Sequence, residues 1–125
     1  MTTLLYRDET NKILGACHEV YAVMGAGYLE GVYQECLQLE FAERQIPAIA
    51  QDEIPLHYKG QQLTQKYRPD FLCFGRIIVE LKATNDLSGD HTAQVINYLR
   101  GTGMRIGLLI NFCHHPGLQF KRIIF

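Results

Sequence analysis

Tryptophan is missing from this 125-residue chain, proline occurs only four times, and neither charge sign dominates. Each shortage excludes something. Twelve Lys and Arg against thirteen Asp and Glu leave a formal net charge of −1 and a pI near 6.5. That is not the strongly basic footprint of a typical nucleic-acid-binding domain. Any action on phosphates must then rest on local charge and on metal. The longest strongly apolar runs, such as Gly107–Ile110, are far too short to span a bilayer. Met1–Arg7 lacks the basic-then-apolar pattern of a leader. The four cysteines, Cys17, Cys36, Cys73 and Cys113, form no C-x-x-C pair and suggest no disulfide framework. A soluble, cytoplasmic protein in a reducing compartment is expected, with no membrane partner. Repeats, linkers and low-complexity stretches are also lacking, so residues 1–125 read as a single domain with one core.

What is present is periodic. Ile13, Leu14, Cys17, Val20, Tyr21 and Met24 recur at helical spacing and stop at Gly25 and Gly27. A second helix opens near Tyr28, with Leu29, Val32, Tyr33, Cys36, Leu37 and Phe41 as its stripe. An αα-hairpin is expected at the N-terminus. The period then changes. Ile54–Tyr58 reads as a strand, Lys59-Gly60 as a turn, and Leu63–Phe74 as a second strand with an edge or bulge at Pro69. Gly75 turns the chain into a third strand, Arg76–Ala83. A helix capped by Ser88 or Asp90 runs to about Arg100, and strands follow at Arg105–Asn111 and Leu118–Phe125. The order α-α-β-β-β-α-β-β predicts an α/β fold, a mixed sheet flanked by helices.

The third strand carries the chemistry. Ile77, Val79, Leu81 and Ala83 share one face, while Glu80 and Lys82 occupy the other. Burying either charge unpaired costs several kcal/mol. A hairpin turning about Gly75 sets Asp70 opposite Glu80 and supplies the missing group. Two carboxylates on adjacent strands, with backbone carbonyls, suit a hard cation such as Mg²⁺ or Mn²⁺. An adjacent lysine then orients water or offsets charge building on a phosphate. The bland alternative is a solvated cross-strand pair, in which Asp70 and Glu80 simply meet Lys82 and Arg68. Pro-Asp followed at this distance by Glu-x-Lys argues against it.

Other residues fit the same site. Gln94 and Tyr98 share a helix face, with His91 one turn earlier, where they face a phosphate or form an ordinary polar rim. Glu30 is a helix carboxylate that either completes a metal shell or simply favours the helix N-terminus. Lys66, Arg68, Arg76 and Lys82, with Lys121-Arg122, form either a basic patch or a solvated edge. Cys113-His114-His115 is a poor zinc site, because adjacent histidines do not easily face one ion and no fourth ligand stands at the usual spacing.

Pro69-Asp70, Glu80-Leu81-Lys82 and Gln94-x-x-x-Tyr98 resemble the PD-(D/E)XK nuclease superfamily, especially its RecB-type branch. Gly27-Tyr28-Leu29-Glu30-Gly31-Val32-Tyr33 resembles the segment that names the GxxExxY family within it, and the likeness runs to Lys121-Arg122-Ile123. The resemblance implies a restriction-endonuclease-like core. It implies metal held by Asp70, Glu80 and the Leu81 carbonyl with Glu30 nearby, and Lys82 assisting water. It also implies nucleic-acid contacts from Gln94 and Tyr98, to which the stripe and patch add His91 and Arg68. Cys113-His114-His115-Pro116 departs from the simpler glycine-containing turn expected there. The expected activity is metal-dependent phosphodiester hydrolysis, on DNA before RNA, by a monomer, a homodimer or part of a larger nucleic-acid-processing complex. The alternative is a catalytically silent module of the same fold that holds nucleic acid or a partner protein.

Overall fold

A computed structural model describes residues 5–125, so the Met1–Leu4 part of the expected leaderless N-terminus lies outside the described residues. Helix α1 (Arg7–Met24) buries Ile13, Cys17 and Val20 and stops at Gly25, whose φ of 73° admits glycine readily. Helix α2 (Glu30–Glu43) buries Tyr33, Leu37 and Phe41, spaced one turn apart. Strands β1 (Ala48–Ala50), β2 (Ile54–Tyr58), β3 (Gln61–Tyr67), β4 (Phe71–Cys73) and β5 (Ile77–Lys82) follow, then helix α3 (Gly89–Thr102) and strands β6 (Ile106–Asn111) and β7 (Gln119–Ile124).

Five strands form one mixed sheet in the order β1-β4-β5-β6-β7, in which only β5 and β6 run parallel. That pair sits at the centre and is buried on both faces, hence its near-continuous apolar sequence. On one face Ile77, Val79, Leu81, Ile106, Leu108 and Ile110 pack with α1 and α2. On the other, Leu72, Ile78 and Leu109 pack with Val95 and Leu99 of α3. A Cβ on Gly107 would come within 2.8 Å of Val95 Cγ1, so glycine sets how closely α3 approaches the sheet. Cys17 and Cys73 lie buried in the first core, where burial pushes both thiols up and leaves them as small hydrophobes. Among the described residues no helix is long and apolar enough to cross a membrane.

The architecture matches the expected helix-flanked mixed sheet with its helix pair, but two expectations change. Leu63–Phe74 is not one strand. Pro69 cannot donate to a ladder and holds Arg68 extended, and the chain leaves one sheet and enters another there. Consequently β2 and β3 form a separate two-stranded ribbon instead of joining a three-stranded meander with β5. The place beside β4 goes to β1, whose three residues after Pro47 are too few to show a period.

Candidate active site

The β4–β5 hairpin builds the site. Its turn needs positive φ at two successive residues, Phe74 (55°) and Gly75 (69°), and Arg76 N–H closes it on Cys73 O at 3.1 Å. The turn fixes the register Phe71↔Val79 and Leu72↔Ile78. One step further along the same register, Asp70 faces Glu80. Here β4 has ended, and Leu81 N–H donates to Asp70 Oδ2 at 2.7 Å instead of to a strand carbonyl. Because the N–H and C=O of one strand residue point to the same side, the Leu81 carbonyl faces this opening too. Glu80 Oε1 accepts two bonds, from Tyr67 O–H at 2.6 Å and Asp70 N–H at 3.2 Å. One oxygen of each carboxylate is thus held, while Asp70 Oδ1 and Glu80 Oε2 accept no hydrogen bond from the described residues. Glu30, Gly31, Gln34, Gln51, Asp70 and Leu81 line a cavity of about 210 Å³ beside Asp70, a lining that includes neither Glu80 nor Lys82. Gln34 Nε2 and Gln51 N–H both donate to Asp70 O and fix its backbone.

The electrostatics are those of a site short of positive charge. Burial, then the neighbouring Asp70 charge, pushes the Glu80 carboxyl up to about 7, against the Tyr67 hydroxyl, the Asp70 amide and Lys82. Burial also raises Asp70, opposed by the Leu81 amide and Lys82. Among the described residues neither carboxylate makes a salt bridge. Arg68, the partner that a bland pairing requires, instead clamps Glu53 at 2.6 Å. Lys82 lies on the same strand face as Glu80, half-buried, two residues on. The donor set suits a hard divalent ion: two carboxylates with a free oxygen each, and one carbonyl. No group of three His, Cys, Asp or Glu side chains among the described residues converges, so waters would fill the remaining positions, as Mg²⁺ prefers. Two larger or comparable hollows, of about 270 and 200 Å³, lie against α1 and α2 and contain none of these groups.

A sequence profile of the PD-(D/E)XK nuclease superfamily matches residues 7–123. The chain belongs to the PD-(D/E)XK nuclease superfamily. The crystal structure of SSO0001 is similar over 95% of this chain, with a TM-score of 0.56 and 17% identity, a likeness of fold. The chain spans 57% of that protein's length. No curated protein matches it in sequence.

In this PD-(D/E)XK chain the other expected residues divide. Glu30 opens α2 and lines the same cavity as Asp70 and Leu81, but is exposed and makes no contact with Glu80. Gln94 is exposed on α3. His91 caps its own helix: its Nδ1 accepts Ser88 N–H at 3.1 Å while the Ser88 hydroxyl accepts His91 N–H, a capping box. Tyr98 turns inward and stacks on Tyr67 at 3.8 Å. Arg76 leaves the basic patch, because it sits at the far end of β5 with Glu9 and the Tyr6 ring. Lys121 stays on the α3 face, one strand beyond Leu109, which pairs with Glu80.

Sequence pattern alone does not point to Tyr67 or Asn111. Tyr67 carries no motif, and only its position three residues before Asp70 hints at it. Asn111, fully buried opposite Lys82, accepts Thr84 and Cys113 amides and donates to Gln119, pinning the loop after Lys82. The Gly27-to-Tyr33 segment also gains a physical meaning. Gly27 needs its φ of 116°, and the buried Tyr33 hydroxyl donates to Gly25 O and accepts Tyr28 N–H, fixing the turn just before Glu30. Cys113 Sγ meets Gly27 N–H and Tyr28 O from the opposite side, while His114 Nδ1 pairs with Gly117 O.

Proposed function

We propose that this protein is a divalent-metal-dependent nuclease, of the RecB-type branch and GxxExxY family, that hydrolyses phosphodiester bonds in DNA. The carrying observation is the pairing of Asp70 and Glu80 across the end of the hairpin, each with one oxygen held and one free, and neither in a salt bridge among the described residues. Structural carboxylates at this depth would be neutralised by a nearby arginine or lysine. Asp70 Oδ1, Glu80 Oε2 and the Leu81 carbonyl are the groups that would hold Mg²⁺ or Mn²⁺, with Glu30 across the cavity able to take a metal-bound water. When bound, the ion lowers the pKa of the attacking water and polarises the phosphate. Lys82 places its ammonium where it orients that water and offsets charge on the phosphate as the bond to the leaving oxygen breaks. In this reading Arg68, His91, Gln94 and Tyr98 would flank the incoming strand, Tyr98 through its stack on Tyr67 and His91 through the Nε2 its cap does not use.

The test incubates purified protein with labelled single- and double-stranded DNA and RNA, in Mn²⁺ or EDTA, beside Asp70→Ala and Lys82→Ala. Cleavage by wild type in Mn²⁺, absent in EDTA and in both variants, is expected. Equal cleavage by all three proteins defeats the proposal. No cleavage, with Mn²⁺ binding that depends on Asp70, replaces it with the silent binding module; the hold of Tyr67 on Glu80 is the observation favouring that reading.

A further inference from the structure

The chain's near-zero net charge hides an uneven distribution. From Ile54 to Arg68 there is no Asp or Glu, and Lys59, Lys66 and Arg68 leave nine cations against thirteen acids in the rest of the chain. Helix α2, on the other side of the sheet, has Glu30, Glu35, Glu40 and Glu43 and no Lys or Arg.

This acid-free segment is the β2–β3 ribbon, and the ribbon stands apart from the main sheet. Its base is fixed. Ile54 and Tyr67 are buried in the second core, and Leu56 lies so close to α3 that a Cβ on Gly101 would come within 2.9 Å of it. Glu53 ties Lys66 at 3.6 Å and Arg68 at 2.6 Å across that base, offsetting part of their charge and leaving Lys59 as the uncompensated cation at the tip. Beyond the base nothing covers it: every residue from His57 to Lys66 is exposed. The outer strand shows Gln61, Gln62, Thr64 and Gln65, and Tyr58 stands exposed beside Lys59, whose Nζ is 5.4 Å from the ring centre.

The ribbon is also joined directly to the candidate site. Its last residue, Tyr67, holds Glu80, and Asp70 follows three positions later. From Tyr67 back to Gln61 the strand reaches about 20 Å, the length of about six base pairs of duplex. A two-stranded ribbon has the width that the major groove of a duplex admits. A single-strand platform needs a row of aromatic rings, and Tyr58 is alone. We propose that the β2–β3 ribbon grips double-stranded nucleic acid beside the site, with Lys59 and Lys66 on phosphates and the glutamine and threonine side chains on sugar and base edges. This rests on the reading of the site as one that acts on phosphodiesters.

The test measures fluorescence anisotropy of a labelled DNA duplex of about two helical turns, its single strand and the matching RNA duplex, in EDTA, across a salt series. The double variant Lys59→Gln/Lys66→Gln is expected to lose about tenfold in duplex affinity and about two units of the salt slope. Arg76→Gln, at the other end of β5, is expected to bind as wild type. Unchanged affinity in the double variant, an equal loss in Arg76→Gln, or tighter binding of the single strand than of either duplex overturns the assignment. Duplex binding that depends on the ribbon but leads to no Mn²⁺-dependent cleavage defeats the hydrolytic reading and leaves the ribbon assignment standing.

Discussion

The two faces of β5 are built from alternate residues of one six-residue strand, yet they do opposite things. Toward α1 and α2 the strand presents Ile77, Val79 and Leu81, all buried. Toward α3 it presents Ile78 and then Glu80 and Lys82, where β4 and its cover have ended. The apolar face gains stability from burial at every position; the other gives some up over its last two. The difference shows how a small sheet carries charge beside its core: the paired neighbour stops short, and its next side chain, Asp70, takes the place of a strand.

The sharpest way to break this contrast is at the charged end. On the proposed function, Asp70→Ala is expected to reduce Mn²⁺-dependent cleavage by more than the roughly 10–100-fold that loss of an outer-shell partner costs, and to remove the thermal shift that Mn²⁺ would give wild type. Its folding free energy changes far less, and a variant that fails to fold would show the two faces to be one. On the apolar face the pattern reverses. Leu108→Ala, fully buried among α1 and α2, is expected to lower unfolding free energy by about 2–5 kcal/mol in urea titration while Mn²⁺ binding survives. Tyr67→Phe sharpens the comparison more finely. It keeps the stack on Tyr98 and removes one hydrogen bond from Glu80, so calorimetry should show Mn²⁺ affinity altered several-fold with little change in stability. An unaltered affinity would mean that the Asp70 amide alone positions Glu80.

The smallest effect is in pH. Glu80 is pushed from 4.5 to about 7 in the folded protein, so folding takes up a proton between those values. Its contribution to stability falls as pH rises through that window and is least favourable above about 7; Asp70 acts in the same direction. In EDTA, Glu80→Gln should therefore gain on wild type in Tm as pH rises from about 4.5 to about 8. A Tm difference, variant minus wild type, that stays constant or falls with rising pH would show that Glu80 is not held in a desolvated, like-charged setting.

The placement of Asp70 against Glu80 was legible because a tight turn at Gly75 fixes which residues face each other, and both strands are read from that one point. The helix pair and α3 were legible from their buried stripes and glycine stops. What stayed hidden depended on choices that local pattern does not contain. Pro69 announced a break but not that the chain would change sheets there. Ala48–Ala50 became a strand only because Phe71–Cys73 offered an edge. Ser88 was one of two caps the sequence offered, and the part His91 plays in completing it was not visible. The stack of the Tyr98 ring on Tyr67 joins two elements far apart in the chain, which no local pattern shows.

The sulfur contact between Cys113 and the Gly27–Tyr28 peptide joins positions 86 and 85 apart in the chain. On a ribosome, that clasp waits until Cys113 has emerged, well after both helices. The first two helices can meet early, but the bend between them receives this fastening only after β6 has been made. The wall of the cavity that bears Glu30 is accordingly finished after its own helix is made, and a product lacking Cys113 would be without this fastening.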